Sequence, residues 1–201
     1  MLLYGRIIIA NKRGDFMNMV EPIREIKKIQ KMKTEMIEDG AIKMALLFAA
    51  GTTTGLRIGD LLKITHAQMR KEKTTITESK TGKKRTIKWH ATVKELYNEL
   101  ASEDATGFVF KSESNKVKYL NRAWTKEYVC RTLKKYAQRA GIDANIGTHS
   151  MRKTFGYHTY YQNGKDIVLV QRFLNHSSQA VTLRYIGIEQ EKMDNAQLNI
   201  F

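Results

Sequence analysis

Four residues toward the C-terminal end of the chain have the types and spacing to act on a phosphate: His149, Arg152, His176 and Tyr185. His149 and Arg152 stand three apart, so on a helix they share a face and can converge on one anion. Thr148 is placed to cap that helix, whose N-terminal dipole adds partial positive charge beside a bound phosphate. A short apolar helix then leads to His176, and Ser177-Ser178 offers a new N-cap for a last helix carrying Tyr185. A phenol that can attack, with imidazole and guanidinium groups that can neutralise charge, suits phosphodiester chemistry.

Other elements must hold these groups. Residues 41–50 are almost wholly apolar and predict a core helix ending at Gly51 and the threonine run that follows. Arg57 comes next, at a turn into a short helix, and Asp60 lies one helical turn on, where its carboxylate can orient the guanidinium by a charge-assisted bond. Residues 73–78 and 84–89 alternate in polarity around Thr81-Gly82, which predicts a β-hairpin. Lys73, Lys80, Lys83, Lys84, Arg85 and Lys88 crowd it; alone, such a hairpin reads as a solvated edge guarded by lysines. Residues 93–100 and 124–140 predict amphipathic helices, separated by a buried apolar run at 108–110. The second helix carries Lys126, Arg131, Lys134, Lys135 and Arg139, and the loop before it carries Lys111, Lys116, Lys118 and Arg122.

The chain has 201 residues, of which 42% are hydrophobic, enough for one core but not for two domains. Its formal net charge of +15 is the footprint of a polyanion's partner, and it also suits a ribosomal protein or a membrane-surface binder. A single cysteine, Cys130, excludes a disulfide framework and fits a cytoplasmic chain. The longest apolar runs are too short to span a bilayer, and the N-terminus lacks the pattern of a signal peptide. Residues 1–19 predict a loosely ordered arm. From Glu21 the pattern turns helical, with Pro22 as opener, Ile23, Ile26, Ile29, Met32 and Met36 on one face and lysines on the other.

Together these segments resemble the tyrosine recombinases, phage integrases among them. That family shows H-x-x-R, then L-x-H-x-S with a tyrosine nine residues after the histidine; here stand His149-Ser-Met-Arg152, Leu174-Asn-His176-Ser-Ser and Tyr185. Thr54-Gly55-Leu56-Arg57-Ile58-Gly59-Asp60 looks like the first arginine box, and Ser79-Lys80-Thr81-Gly82-Lys83-Lys84-Arg85 like the lysine-bearing hairpin. The resemblance implies an α+β, mostly helical catalytic-domain fold with a small antiparallel hairpin or sheet over residues 20–188. The amphipathic tail at 189–201 is expected either to pack in cis or to dock on a neighbouring subunit as in relatives, with exchange in trans the preferred reading. The family usually carries a separate N-terminal clamp domain, and these 201 residues are expected to be either a minimal recombinase without it or a truncated or excised catalytic fragment. Lys153 departs from a second histidine common in relatives and is expected to affect no assigned role.

The resemblance further implies double-stranded DNA as partner, a homotetramer on two duplexes built from monomers, and accessory DNA-bending proteins. Lys83, Lys84, Arg85, Lys126, Arg131, Lys134 and Lys135 are the expected DNA contacts. In the implied reaction, Arg57 and Arg152 hold the scissile phosphate and His176 donates to it. His149 takes the phenol proton and Tyr185 attacks. Lys80, with Lys83 as close competitor, protonates the leaving 5′ oxygen. This chemistry calls for no cofactor and no metal. Two other readings share the motifs: a nicking and closing enzyme of the type IB topoisomerase kind, and a DNA-binding regulator that has lost catalysis. If the tail exchanges in trans, a chain ending at Ile188 loses assembly on DNA; normal assembly of that truncation, measured by native gel, would remove the idea.

Overall fold

The computed structural model describes residues 19–113, 120–189 and 191. Residues 1–18 of the expected arm, Lys116, Lys118 and nearly all of the expected tail lie outside these. The described chain opens with an extended segment before α1 (Ile26–Glu38), so Pro22 does not open a helix. Tertiary bonds hold this segment straight: Glu21 N donates to Asn145 O at 2.9 Å and Ile23 N to Thr154 Oγ1 at 2.8 Å. His158 Nε2 lies 2.9 Å from Ile23 O, a packing role for that ring. Met32 and Met36 of α1 are buried, while Ile26 stays exposed.

The second helix, α2 (Ile42–Thr54), is buried continuously from Met44 to Gly51. It runs past Gly51, where the sequence suggested a stop. The hydroxyls of Thr52, Thr53 and Thr54 donate back to the carbonyls of Phe48, Ala49 and Ala50 at 2.8, 2.7 and 2.6 Å, so they do not compete for other backbone. The helix stops at Gly55, whose φ of +63° is the left-handed conformation that glycine enters without strain.

Two short helices follow, α3 (Ile58–Leu61) and α4 (His66–Arg70), the second opened by a reciprocal cap between Thr65 and Gln68. Strands β1 (Lys73–Thr77) and β2 (Lys84–Lys88) form the expected antiparallel hairpin, Lys73 opposite Lys88 and Thr77 opposite Lys84. Ile76 and Ile87 point into the core. Next come α5 (Ala91–Leu100), the buried pair Val109 and Phe110, and α6 (Lys126–Arg139), capped by Thr125.

The last three helices carry the site. In α7 (Thr148–Gln162) the cap position belongs to Gly147, and Thr148 is the first helical residue. Ser150 Oγ takes the Gly147 N–H at 3.1 Å, which leaves Thr148 no capping work. α8 (Ile167–Leu174) is capped by Asp166 and ends at Asn175 in the left-handed region, and α9 (Gln179–Ile186) is capped by Ser178 as the sequence suggested.

α2 packs against α1, α5 and α7 and forms the middle of the main core. A smaller cluster of Tyr160, Val170, Leu174, Ile186 and Ile188 binds α7, α8 and α9 together. α7 passes between the two clusters, and Gly55 is where α2 approaches it. A Cβ at Gly55 would lie 2.3 Å from Cδ1 of Phe155. Gly55→Ala combines that clash with a left-handed backbone, so it is expected to destabilise the fold by on the order of 3 kcal/mol, read as a lowered Tm in thermal denaturation.

Candidate functional site

Arg152 lies on the inner face of α7 and is 2% exposed. Its Nη1 donates to the Gly55 carbonyl at 2.6 Å, and its Nη2 to the Leu174 carbonyl. These oxygens end α2 and α8, where unpaired carbonyls and the helix dipole both favour a cation. Burial first, and then the charge of Arg57, pull the Arg152 pKa below the ordinary guanidinium value.

Arg57 is the N-cap residue of α3 and donates through Nη1 to Glu78 Oε2 at 2.7 Å. Glu78, 1% exposed, is the junction of this region. The same oxygen also accepts from Thr81 Oγ1 at 2.9 Å and Asn175 Nδ2 at 3.1 Å. Burial pushes the carboxyl up, but the bonds from Asn175, Arg57 and Thr81, with the Arg57 charge, outweigh it and hold Glu78 below its ordinary value. Glu78, not Asp60, therefore orients Arg57. Asp60 turns instead to the hairpin, where its Oδ1 accepts the Ser79 N–H at 2.9 Å and so anchors the turn that bears Lys80. Lys80 is exposed in that turn, whereas Lys83 Nζ donates to Asn175 Oδ1 at 3.0 Å.

His176 follows Asn175 and is half-buried. Its Nδ1 lies 3.3 Å from Thr182 Oγ1, whose own hydroxyl donates to Ser178 O at 2.9 Å. Thr182 is therefore the acceptor at Nδ1, which puts the proton of the neutral ring there and leaves a lone pair on Nε2. Burial, then the charges of Arg152 and Arg57, push the His176 pKa down to about 4. The ring meets Tyr185 edge to face, centroids 4.9 Å apart and planes at 79°. The Tyr185 hydroxyl oxygen is buried and has no hydrogen-bond partner of good geometry among the described residues. Burial raises its pKa, and the charges of Arg152 and Arg57 work against that rise. His149, one turn before Arg152, is exposed as a residue, yet desolvation of the inner part of its ring and then the charges of Arg152, Lys153, Lys126 and Arg57 hold it below the ordinary imidazole value.

Arg57, Arg152, His176 and Tyr185 thus come within electrostatic reach of one another, with His149 beside Arg152. Three participants escaped the sequence reading. Glu78 and Asn175 had no distinguishing pattern beyond lying at a strand end and inside a motif. Lys153, expected to affect no assigned role, is 6% exposed, and its Nζ stands 5.2 Å from the centroid of the Tyr185 ring.

The expected DNA contacts divide. Lys126, Arg131 and Lys134 line an open groove of about 520 Å³ with Thr148, beside the start of α7, and Lys84 is exposed on the hairpin. Lys135 lies on another face of α6, 3.5 Å from Asp39, where Arg139 also pairs with Glu35 at 3.2 Å; these bonds tie α6 to α1. Lys135 remains exposed there, whereas Arg85 is half-buried. Its guanidinium sits 6.0 and 5.9 Å from the ring centroids of Phe155 and Phe173 and donates to Thr54 O. Burial, followed by the Arg152 charge, brings its pKa to about 10. One signal was available: Arg85 shares a strand face with buried Ile87, two residues on. Among the described residues, no three His, Cys, Asp or Glu side chains are gathered as a metal site requires, and no helix is long and apolar enough to cross a membrane.

The helical layout with its two-stranded hairpin is the fold of tyrosine recombinase catalytic domains. The XerA recombinase superposes with a TM-score of 0.64 at 20% identity over 85% of this chain and 60% of that one. Lambda integrase (residues 75-356) bound to DNA superposes with a TM-score of 0.58 at 17% identity over 78% of this chain and 56% of that one. In sequence, the chain is 38% identical over 177 residues to the probable integrase/recombinase YoeC of Bacillus subtilis, covering 87% of this chain and 93% of the relative. The profile of the phage integrase family matches residues 22–192, and the chain belongs to that family.

The depressed His176 pKa gives a direct test. In the free protein the imidazole is expected to titrate near 4 rather than 6.5, which proton–nitrogen NMR of the ring would measure. The neutral ring is the form the fold favours, so its contribution to stability is present above pH 6.5 and is lost as pH falls through 4. His176→Asn removes that part of the acid dependence; a ring titrating near 6.5 would mean that it is neither buried nor within reach of the two arginines.

Proposed function

We propose that the chain is a site-specific DNA strand transferase that cleaves a phosphodiester by attack of Tyr185 Oη on phosphorus. A 3′-phosphotyrosyl bond forms and the 5′ oxygen leaves. The observation that supports this reading most is the surrounding of a buried, unbonded Tyr185 hydroxyl by the charges of Arg152 and Arg57, with His176 packed on its ring. A nucleophile and three phosphate ligands are drawn from four separate elements.

Each group has a role suited to its setting. Arg152 commits two donors to carbonyls, and a guanidinium has five, so others remain for a non-bridging oxygen. Arg57, oriented by Glu78, holds the second such oxygen. The negative charge of an arriving phosphate offsets the burial and the cation repulsion that together depress the His176 pKa; the ring gains a proton at Nε2 and donates it as a hydrogen bond. His149, neutral at neutral pH, takes the phenol proton. Lys80 is the general acid, because it extends from the turn anchored by Asp60 while Lys83 is engaged by Asn175. A 5′ hydroxyl from a second strand then attacks the phosphotyrosyl bond and releases Tyr185.

DNA as the partner is supported by the net charge of +15, by the DNA complex of lambda integrase and by the groove lined by Lys126, Arg131 and Lys134. Exchange between two duplexes calls for four chains, one at each cleavage point.

Nicked duplexes from the DNA flanking the encoding gene, with EDTA present, test the reaction. Wild type is expected to form an adduct that survives denaturation, Tyr185→Phe none, and Arg57→Ala roughly 10² to 10³ fold less, all with DNA binding within a few-fold. Arg152→Lys is the better probe at the second arginine, since Arg152→Ala would leave two buried carbonyls unpaired and weaken the fold. An adduct that persists in Tyr185→Phe would sink the proposal.

A further inference from the structure

Lys153 is the second buried cation of α7, and the steps above give it no part. A buried ammonium is costly unless something offsets its charge. Among the described residues no carboxylate lies within ion-pairing distance of Lys153, and Glu21 at the start of the described chain is the acidic group that acts on it. What Lys153 does face is Tyr185, with Nζ 5.2 Å from the ring centroid. His176 meets the same ring at a steep angle, 79° between planes, so the ring is held from α7 and from the turn before α9 at once. Arg152 and Arg57 already spend donors on the oxygens of Gly55, Leu174 and Glu78, whereas Lys153 makes no side-chain hydrogen bond or ion pair among the described residues.

We propose that Lys153 is a positioning residue for the nucleophile: its ammonium, seated against the Tyr185 ring, fixes the ring and favours the phenolate over the phenol. The catalytic consequence rests on Tyr185 being the nucleophile; the contact does not. A ring face attracts a cation, and a phenolate, whose full negative charge spreads into the ring, attracts it more. Ionisation therefore strengthens the contact. The groups that face Tyr185 are Arg152 and Lys153 from α7, Arg57 from the head of α3 and His176, with Glu78 behind Arg57 as the nearby acid. Removing the Lys153 charge takes away one cation that no other side chain replaces.

The test incorporates 3-fluorotyrosine at position 185, which titrates in a range the folded protein tolerates, and follows it by fluorine NMR without DNA. Lys153→Met is expected to raise the phenol titration by about one pH unit and Lys153→Arg to return it to within a few tenths, a tenfold difference in phenolate fraction for the first. With native tyrosine at 185, adduct formation by Lys153→Met then falls about tenfold at pH 7, and the deficit closes as pH rises. A purely structural lysine would give a deficit independent of pH. If Lys153→Met does not fold by circular dichroism, Lys153→Gln carries the same comparison. Coincident fluorine titrations in the unsubstituted and charge-free proteins overturn the proposal. A clear titration shift with no adduct from wild type would instead refute Tyr185 as nucleophile and leave the Lys153 contact standing.

Discussion

The guanidinium of Arg152 joins three helices at one point. It grows from α7, ends α2 through the Gly55 carbonyl and ends α8 through the Leu174 carbonyl. Each carbonyl would otherwise be an unpaired acceptor inside the protein, and the guanidinium would be an unpaired buried charge. The three costs cancel only when all three helices are in place, so closing the fold and forming the anion site are one event. Gly55 belongs to the same junction, because its left-handed turn aims the carbonyl at Arg152 while its missing Cβ leaves room for Phe155.

Glu78 performs the corresponding task for the hairpin. One carboxylate oxygen gathers Arg57, Thr81 and Asn175, which come from the head of α3, the hairpin turn and the end of α8. Asp60 adds a second tie through Ser79, and Arg85 a third by lying between Phe155 and Phe173. A turn that the sequence presents as a solvated basic loop is thus anchored on its inner side, with Lys80 left at its outer edge. Anchoring of this kind fixes where a flexible ammonium can reach without fixing the ammonium itself.

The electrostatic character of the site follows from these ties. Arg57, Arg85 and Arg152 lie near one another with Glu78 as a shared counter-charge, and the pKa values of Arg85, Arg152 and His176 are displaced downward, by burial first and by neighbouring cations second. Repulsion among cations is stored in the free protein, and under the proposed reaction an entering phosphate relieves it. Burial, with the same cations, holds the His176 pKa down, so the ring is neutral in the free protein.

The sequence alone determined the local chemistry. H-x-x-R, L-x-H-x-S and the following tyrosine were legible because their spacing is short and helical. The hairpin was legible because period-two alternation flanks a Thr-Gly turn, and the Ser178 cap because capping is a contact within one turn of backbone. Tertiary structure decided everything that depends on which distant groups meet. It exchanged Asp60 for Glu78 as the partner of Arg57, since a carboxylate twenty-one residues away in sequence comes closer than one a helical turn away. It drew Arg85 inward against Phe155 and Phe173, set the exposed Lys135 beside Asp39, and kept α2 helical through three threonines that bond back on their own helix. It set Lys153, on the sequence a bland neighbour of Arg152, against the Tyr185 ring. Spacing along a chain reports only what one helix or hairpin can bring together; charges taken out of water must find partners wherever the packed elements supply them, and that is decided when the whole core closes.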